Sequence, residues 1–229
     1  MAASSLVFLF DVDNTLMDHD HVTADLRLHL ERVVGPQKSK RYWEIFEQLR
    51  NELGYADYLG ALQRYRVEHL SDYQLLEVSY FLINYPFANR LFPGSLDAVA
   101  YAQQLGEAVV LSDGDVVFQP RKIYGAGLYE AFDKKVLIYI HKEQMLADVE
   151  LAYPADHYVM IDDKLRILDA MKKTWGNKLT TVFVRQGHYA HDVKNNAQFQ
   201  PPDIALERIG ELPQLDPALF HQAVNAARV

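Results

Sequence analysis

The 229-residue chain contains no cysteine. That excludes a disulfide framework, a zinc–thiolate site and a thiol nucleophile, and it fits a reducing cytoplasm. No apolar run approaches the roughly 20 residues a membrane helix needs. Met1 leads into an apolar run within five residues, with neither the basic region nor the cleavage site of a signal peptide. Positive charge is in short supply as well: 23 Lys+Arg against 31 Asp+Glu leave a net charge of −8. Such a surface argues against nucleic acid or an anionic membrane as the main partner, while leaving room for a local basic pocket. Repeats and low-complexity tracts are missing too. Apolar side chains are plentiful, at 49% of the chain, enough for one sizeable core or for a core and a smaller unit.

The most informative stretch is Leu6-Val7-Phe8-Leu9-Phe10-Asp11-Val12-Asp13-Asn14-Thr15-Leu16. Its apolar run is continuous rather than alternating, which reads as a strand buried on both faces. The strand should stop at Asp11, because a dry sheet cannot hold two unpaired carboxylates. Asp11 and Asp13 then sit at the carboxyl end of the strand, where open α/β sheets bind ligands. Two close carboxylates there suit a hard cation such as Mg2+. The plainer alternative is a helix N-cap and a solvated turn.

The next 65 or so residues read as helical. Leu26, Leu30, Val33 and Val34 mark one helix. Tyr42, Ile45, Phe46, Leu49 and Leu53 mark a second, between Gly35-Pro36 and Gly54. Tyr55, Tyr58, Leu59, Leu62 and Tyr65 repeat the pattern. Ser71-Asp72-Tyr73-Gln74 has the form of a capping box opening a further helix through Leu75, Leu76, Val78, Leu82 and Ile83. Three or four amphipathic helices on short loops make a small bundle.

At Phe92-Pro93-Gly94-Ser95 the pattern changes to alternating strands and helices, the sign of a parallel sheet. Ser95 is expected to cap a helix ending at Gly106. Strands follow at Ala108–Leu111, Val136–Ile140, Tyr158–Ile161 and Thr180–Val184. Pro201-Pro202 reads as an extended connector, and Ile204 to Leu212 as an edge strand or short helix. The expected architecture is a Rossmann-like, mainly parallel α/β sheet flanked by helices. Residues 1–16 and 92–229 form the core, and 17–91 an inserted helical cap.

Four of these strands end in Asp-x-Asp, Ser112, Lys142 and Asp162-Asp163. Right-handed crossovers bring all strand carboxyl ends to one edge of a parallel sheet, so these groups can converge whatever the strand order. Singly, the Ser reads as an N-cap, the Lys as solvated and the acid pair as a turn. Together they offer carboxylates for a cation, an ammonium and a hydroxyl, the surroundings a phosphoryl group needs.

Asp11-Val12-Asp13-Asn14-Thr15-Leu16, then Ser112, Lys142 and Asp162-Asp163, resemble in order the four motifs of the haloacid dehalogenase-like (HAD) hydrolase superfamily. The helical insertion is similar to that family's cap, and the likeness spans roughly residues 6 to 212. Two positions depart from the pattern: Asp113 stands where the family often has Asn, and Glu143 where many members have Pro. The resemblance implies a Mg2+-dependent phosphatase acting on a small phosphorylated metabolite through an aspartyl phosphate. Asp11 would be the nucleophile, and Asp13 the acid and then the base, its pKa nearer neutrality than that of a free Asp. Mg2+ would be held by Asp11, Asp163 and the backbone carbonyl of Asp13, with Asp162 behind them pairing with Lys142. Ser112 and Lys142 would bind phosphoryl oxygens, and Lys142 would also hold Asp11 ionised. Dehalogenases of the family lack the second Asp, since a halide leaves without a proton. Asn14-Thr15 is similar to nucleotidase-like members, which makes a nucleoside monophosphate one candidate substrate.

Three rivals share the motifs: a phosphomutase or phosphotransferase, a non-enzymatic phospho-sensor, and a scaffold with a degenerate site. Retention of all four motifs speaks against the last. Receiver domains place their acids in another chain order. Outside the motifs, His19 and His21 lie in the hinge within reach of a substrate. His188 and His191 read as a solvated loop, because no third metal ligand is apparent. The tyrosines mostly read as bundle core, and Arg27, Arg32, Arg41, Arg64 and Arg66 mostly as solvent-facing cap residues, any one of which could reach an anionic substrate. The sequence says nothing of oligomeric state.

Overall fold

The computed structural model describes residues 4–221. Its sheet begins with β1 (Ser4–Phe10) and continues through β2 (Glu107–Asp113), β3 (Val136–Tyr139), β4 (Ala155–Asp162), β5 (Leu179–Val184) and β6 (Ile204–Leu206). The strand order is β3-β2-β1-β4-β5-β6, with every pairing parallel. This is a Rossmann-like α/β sheet. β1 is central, and the chain passes first to one side of it and then to the other. Such a switch point opens a crevice at the strand carboxyl ends.

The unbroken apolar run of β1 is explained by burial on both faces. Leu6, Phe8 and Phe10 pack into one core cluster with Ala108, Val110, Val159 and Ile161. Val7 and Leu9 join a second cluster with Val109, Leu111, Tyr158 and Met160 on the opposite face. The period-two split follows from the pleat.

Four helices are inserted after β1: α1 (His19–Val34), α2 (Pro36–Leu53), α3 (Tyr58–Glu68) and α4 (Leu75–Asn84). They bury Leu26, Leu30, Tyr42, Ile45, Phe46, Leu49, Leu62, Tyr65, Val78 and Leu82. The two connections of this insert run side by side: Asp18 N donates to Arg90 O at 2.7 Å and Phe92 N to Leu16 O at 2.9 Å. Further helices among the described residues are α5 (Ser95–Leu105), α6 (Phe118–Gly125), α7 (Leu128–Ala131), α8 (Leu146–Ala152), α9 (Leu165–Trp175), α10 (Gly187–Ala190) and α11 (Val193–Asn196).

The structure corrects three local expectations. No capping box forms at Ser71: α4 starts at Leu75 without a side-chain cap, and Asp72 accepts from the Gln74 amide at 3.2 Å and from Lys38 Nζ at 2.7 Å. Leu76 and Ile83 of that helix are exposed rather than core, because its buried stripe is Leu75, Val78 and Leu82. Ser95 does not cap α5, whose N-cap is Gly94. The buried Ser95 hydroxyl donates to Leu16 O at 2.8 Å, tying the end of the insert to the loop after β1. Ser95→Ala removes that bond from a buried site and is expected to cost about 1–2 kcal/mol. Urea unfolding checks this: the midpoint should fall while the slope is unchanged. The final expectation resolves into both alternatives, since β6 pairs with β5 at the sheet edge and a 3-10 turn over Ile209–Gln214 follows.

Candidate active site

β1 ends where its side chains turn polar. Asp11 N still donates to Ile161 O at 3.0 Å, the last bond of the β1–β4 ladder, and the Asp11 side chain is buried. The chain then curls, with the amides of Leu16 and Met17 both donating to Val12 O at 3.0 Å. Asn14 takes a left-handed conformation (φ 63°), which Asn tolerates better than most residues. Its Oδ1 accepts from the amides of His19 and Asp20 at 3.0 and 3.1 Å, fastening the start of α1. Gly187 packs against it with φ +71°, and a Cβ there would meet Asn14 Cβ at 2.4 Å, so only glycine fits.

Three strands deliver the centre. Lys142, just past β3, is fully buried, and its Nζ lies 2.5 Å from Asp11 Oδ1 and 2.7 Å from Asp162 Oδ2. It also donates to Leu111 O at 3.2 Å, while its amide donates to Asp113 Oδ1 at 2.7 Å. Burial pulls the ammonium pKa down, but Asp11, Asp162 and Asp113 outweigh it and hold Lys142 protonated. Thr15 Oγ1 donates to Asp11 Oδ2 at 3.1 Å and accepts from the Asp163 amide at 3.0 Å, linking the loops after β1 and β4.

Asp163 differs from its neighbours. Both of its carboxylate oxygens are buried and have no hydrogen-bond partner among the described residues. Burial pushes its pKa well above the usual carboxylate range, against the pull of Lys164. Asp11, Asp162 and Asp163 each offer an oxygen, all within 4.8 Å of one another, and could hold a metal ion. Bare carboxylate oxygens in a dry site fit a hard divalent cation, which takes oxygen ligands and offsets the cost of burying charge. Asp162, paired with Lys142, is pushed up to about 6, chiefly by burial. An acid whose folded pKa lies above its unfolded value gives stability that is complete at low pH and lost as pH rises through the folded value. The contribution of Asp162, read as the difference between the metal-free protein and its Asp162→Asn variant, should therefore fall between about pH 4 and 6, against the opposite trend from buried His19, and Mg2+ should restore it. Thermal midpoints with EDTA and with Mg2+ across this range test both halves.

Asp13 stands apart from this cluster. Both its oxygens accept from Lys122 Nζ, at 2.8 and 2.6 Å, and His19 Nδ1 lies 3.6 Å away. Burial pushes the Asp13 pKa up, but His19 and Lys122 more than reverse it and hold the carboxyl well below its ordinary range. His19 is itself pushed down to about 4, mainly by burial, so at neutral pH Lys122 carries the effect. This corrects the expectation that Asp13 titrates nearer neutrality: a buried ammonium favours its charged form.

Ser112 is buried near the end of β2, and its Oγ accepts from Gln119 Nε2 at 2.9 Å. Gln119 and Lys122 lie three apart on the buried face of α6. Motif reading passes over both residues, because their partners Ser112 and Asp13 lie 7 and 109 positions away.

A cavity of about 470 Å³ separates the inserted helices from the sheet edge; Asp13, Lys122 and Lys164 line it opposite Trp43, Phe46 and Tyr58. Tyr58 OH lies 2.9 Å from His19 Nε2, joining α3 to the first residue of α1, whose Nδ1 is the atom near Asp13. Arg27, expected on a solvent face, also lines the cavity and stacks on Trp43 at 4.3 Å. Arg41 and Arg64 pair with Glu68 and Glu52 on the surface. His188 Nδ1 lies 2.6 Å from Asp20 Oδ1.

Fold and site define a Rossmann-like α/β protein with an acidic centre and two buried lysines, Lys122 and Lys142, at the carboxyl edge of its sheet. No protein-family model matches the chain, and no curated protein does. Solved structures do. A haloacid dehalogenase-like hydrolase from Burkholderia xenovorans LB400 is 62% identical, with a TM-score of 0.88, over 93% of this chain and 99% of its own. A HAD-hydrolase from Bacillus subtilis bound to magnesium is 20% identical (TM-score 0.62, 91% and 96% covered). CbbY from Rhodobacter sphaeroides, in complex with phosphate, is also 20% identical (TM-score 0.54, 90% and 95% covered). The last two show the fold alone. The first shows the family: this chain belongs to the haloacid dehalogenase-like hydrolases. Among the described residues no helix is long and apolar enough to cross a membrane.

Proposed function

We propose that the protein is a Mg2+-dependent phosphatase of small phosphomonoesters. The supporting observation is Asp13, an ionised carboxylate lining the cavity two residues beyond Asp11. Halide displacement has no use for a second carboxylate, whereas an alkoxide leaving group and a hydrolytic water both exchange a proton. Mg2+, held by Asp11, Asp163 and the Asp13 carbonyl, would supply neutralisation of phosphoryl charge.

The chain's own residues supply the remainder. Asp11, fixed by Lys142 and Thr15, attacks phosphorus in line, and the bond to the alcohol oxygen breaks. Asp13, ionised at rest, gives that oxygen a proton only after taking one up from solvent, an uptake that Lys122 opposes. Water then attacks the aspartyl phosphate, Asp13 takes its proton, and the electron pair returns to Asp11. Lys122 keeps Asp13 at rest in the form this second step uses. Ser112 and Lys142 bind phosphoryl oxygens, and the inserted helices act as a cap that excludes competing water. The aromatic side of the cavity, Trp43, Phe46 and Tyr58, suits a flat leaving group such as a nucleoside.

A panel of phosphometabolites that includes nucleoside monophosphates tests the reading. Phosphate should be released with Mg2+ and not with EDTA. Halide release from haloalkanoates, or isomer formation without free phosphate, would overturn it.

A further inference from the structure

The motif residues leave α6 without a task, yet this helix touches the site twice. Gln119 donates to Ser112 Oγ, and one turn later Lys122 spans both oxygens of Asp13. The Lys122 side chain is 3% exposed, so the ammonium is not a solvated charge. Among the described residues its carboxylate partner is Asp13, and the Phe118 ring lies 5.6 Å from its Nζ. A buried ion pair adds little stability over apolar packing of the same volume. What two hydrogen bonds from one fixed donor do provide is orientation. An Asp side chain with both oxygens held cannot turn about its Cα–Cβ and Cβ–Cγ bonds.

α6 is in turn anchored to the inserted helices. Arg121 Nε donates to Ile83 O at 2.7 Å, and the Phe118 ring lies 5.5 Å from that of Tyr58. Lys122 therefore stands on a rigid support rather than on a loop.

We propose that Lys122 is a positioning residue for the hydrolytic half of the reaction, holding Asp13 where it orients the water that attacks the aspartyl phosphate. The inference rests on the phosphatase reading above. In the step concerned, a bond forms between the water oxygen and phosphorus and the bond from phosphorus to Asp11 breaks. Its electron pair stays on Asp11, and the water proton passes to Asp13.

The two halves of the reaction separate with p-nitrophenyl phosphate, whose leaving group departs as phenolate and needs no proton. Formation of the phosphoenzyme from this ester is then indifferent to how Asp13 is aimed, while its breakdown is not. Rapid mixing of the full-length enzyme with p-nitrophenyl phosphate and Mg2+ follows p-nitrophenolate release, and acid quenching follows the hydroxylamine-sensitive phosphoenzyme. In Lys122→Met, breakdown should slow by about tenfold or more while formation stays within about threefold, giving a burst near one equivalent. Lys122→Arg should recover most of the breakdown rate, because a guanidinium can also hold both carboxylate oxygens. Asp13→Asn combined with Lys122→Met should break down no more slowly than Asp13→Asn alone, as expected of residues acting as one unit. Equal slowing of both steps, or unchanged breakdown, would overturn the role. A wild type that turns over without any phosphoenzyme would bring down the phosphatase mechanism and this inference together. One that forms it, with Lys122→Met unaffected, would bring down the inference only.

Discussion

Asp11→Asn is expected to lower turnover at least about 10⁴-fold, with no labelled phosphoenzyme, while the protein stays folded. The amide keeps the volume of the carboxylate, so the packing at the end of β1 is undisturbed. Its oxygen can still accept from Thr15 or Lys142, which reach the two carboxylate oxygens separately at 3.1 and 2.5 Å. What disappears is the anionic nucleophile, and with it the covalent intermediate that divides one difficult displacement into two easier ones. Asp163 cannot take its place. Held in the loop after β4, it lies on another strand from the group that attacks. Phosphate release, phosphoenzyme labelling and the thermal midpoint together check the result. Equal rates for variant and wild type would remove Asp11 from the chemistry, and loss of folding would leave the rate uninterpreted until Asp11→Glu had been compared.

Much of this arrangement was legible in the chain because it depends on local rules. The continuous apolar run through Phe10 requires two covered faces, and β1 has them. A carboxylate ends such a run, and the strand stops before Asp11. Lys142 and Asp162 could be expected to meet because parallel strands share one carboxyl edge, and they pair at 2.7 Å. The misreadings concern choices made over long distances. Ser95 has an N-cap's position and neighbours, but a carbonyl 79 positions earlier competes for its hydroxyl and wins. Ser71 and Gln74 satisfy the capping-box spacing, yet α4 starts only at Leu75, and the neighbouring Asp72 is held by Lys38 from α2. The Lys122–Asp13 pair spans 109 positions, and no spacing rule foretells it. For the same reason the charge state of Asp13 was misjudged: its local sequence shows the neighbouring acids and not the ammonium that faces it.

Lys142→Met should produce the largest loss of stability of any single substitution in the site. The ammonium is buried against Asp11 and Asp162, so its removal leaves two carboxylates facing each other. Breaking a buried pair on one side costs about 3–5 kcal/mol, because the surviving charge keeps its desolvation penalty and loses its compensation. The penalty applies to the ionised carboxylates only, which fixes its pH dependence. Asp162 is already raised to about 6 with Lys142 present, and without the ammonium it must rise further. Below its unfolded value both forms of the protein hold it neutral, and the deficit is small. As pH rises through the folded value, the unfolded chain releases the proton freely and the folded chain does not, so stability is lost. The deficit relative to wild type should therefore be several-fold larger at pH 8 than at pH 5. Adding Asp162→Asn should recover part of it at pH 8 by removing one of the opposed charges, although turnover stays lost, since Asp11 no longer has its cation. A methionine that fits the space badly would behave otherwise: a packing defect is indifferent to pH, and neutralising Asp162 would not relieve it. Urea unfolding of both variants at the two pH values decides between charge and shape.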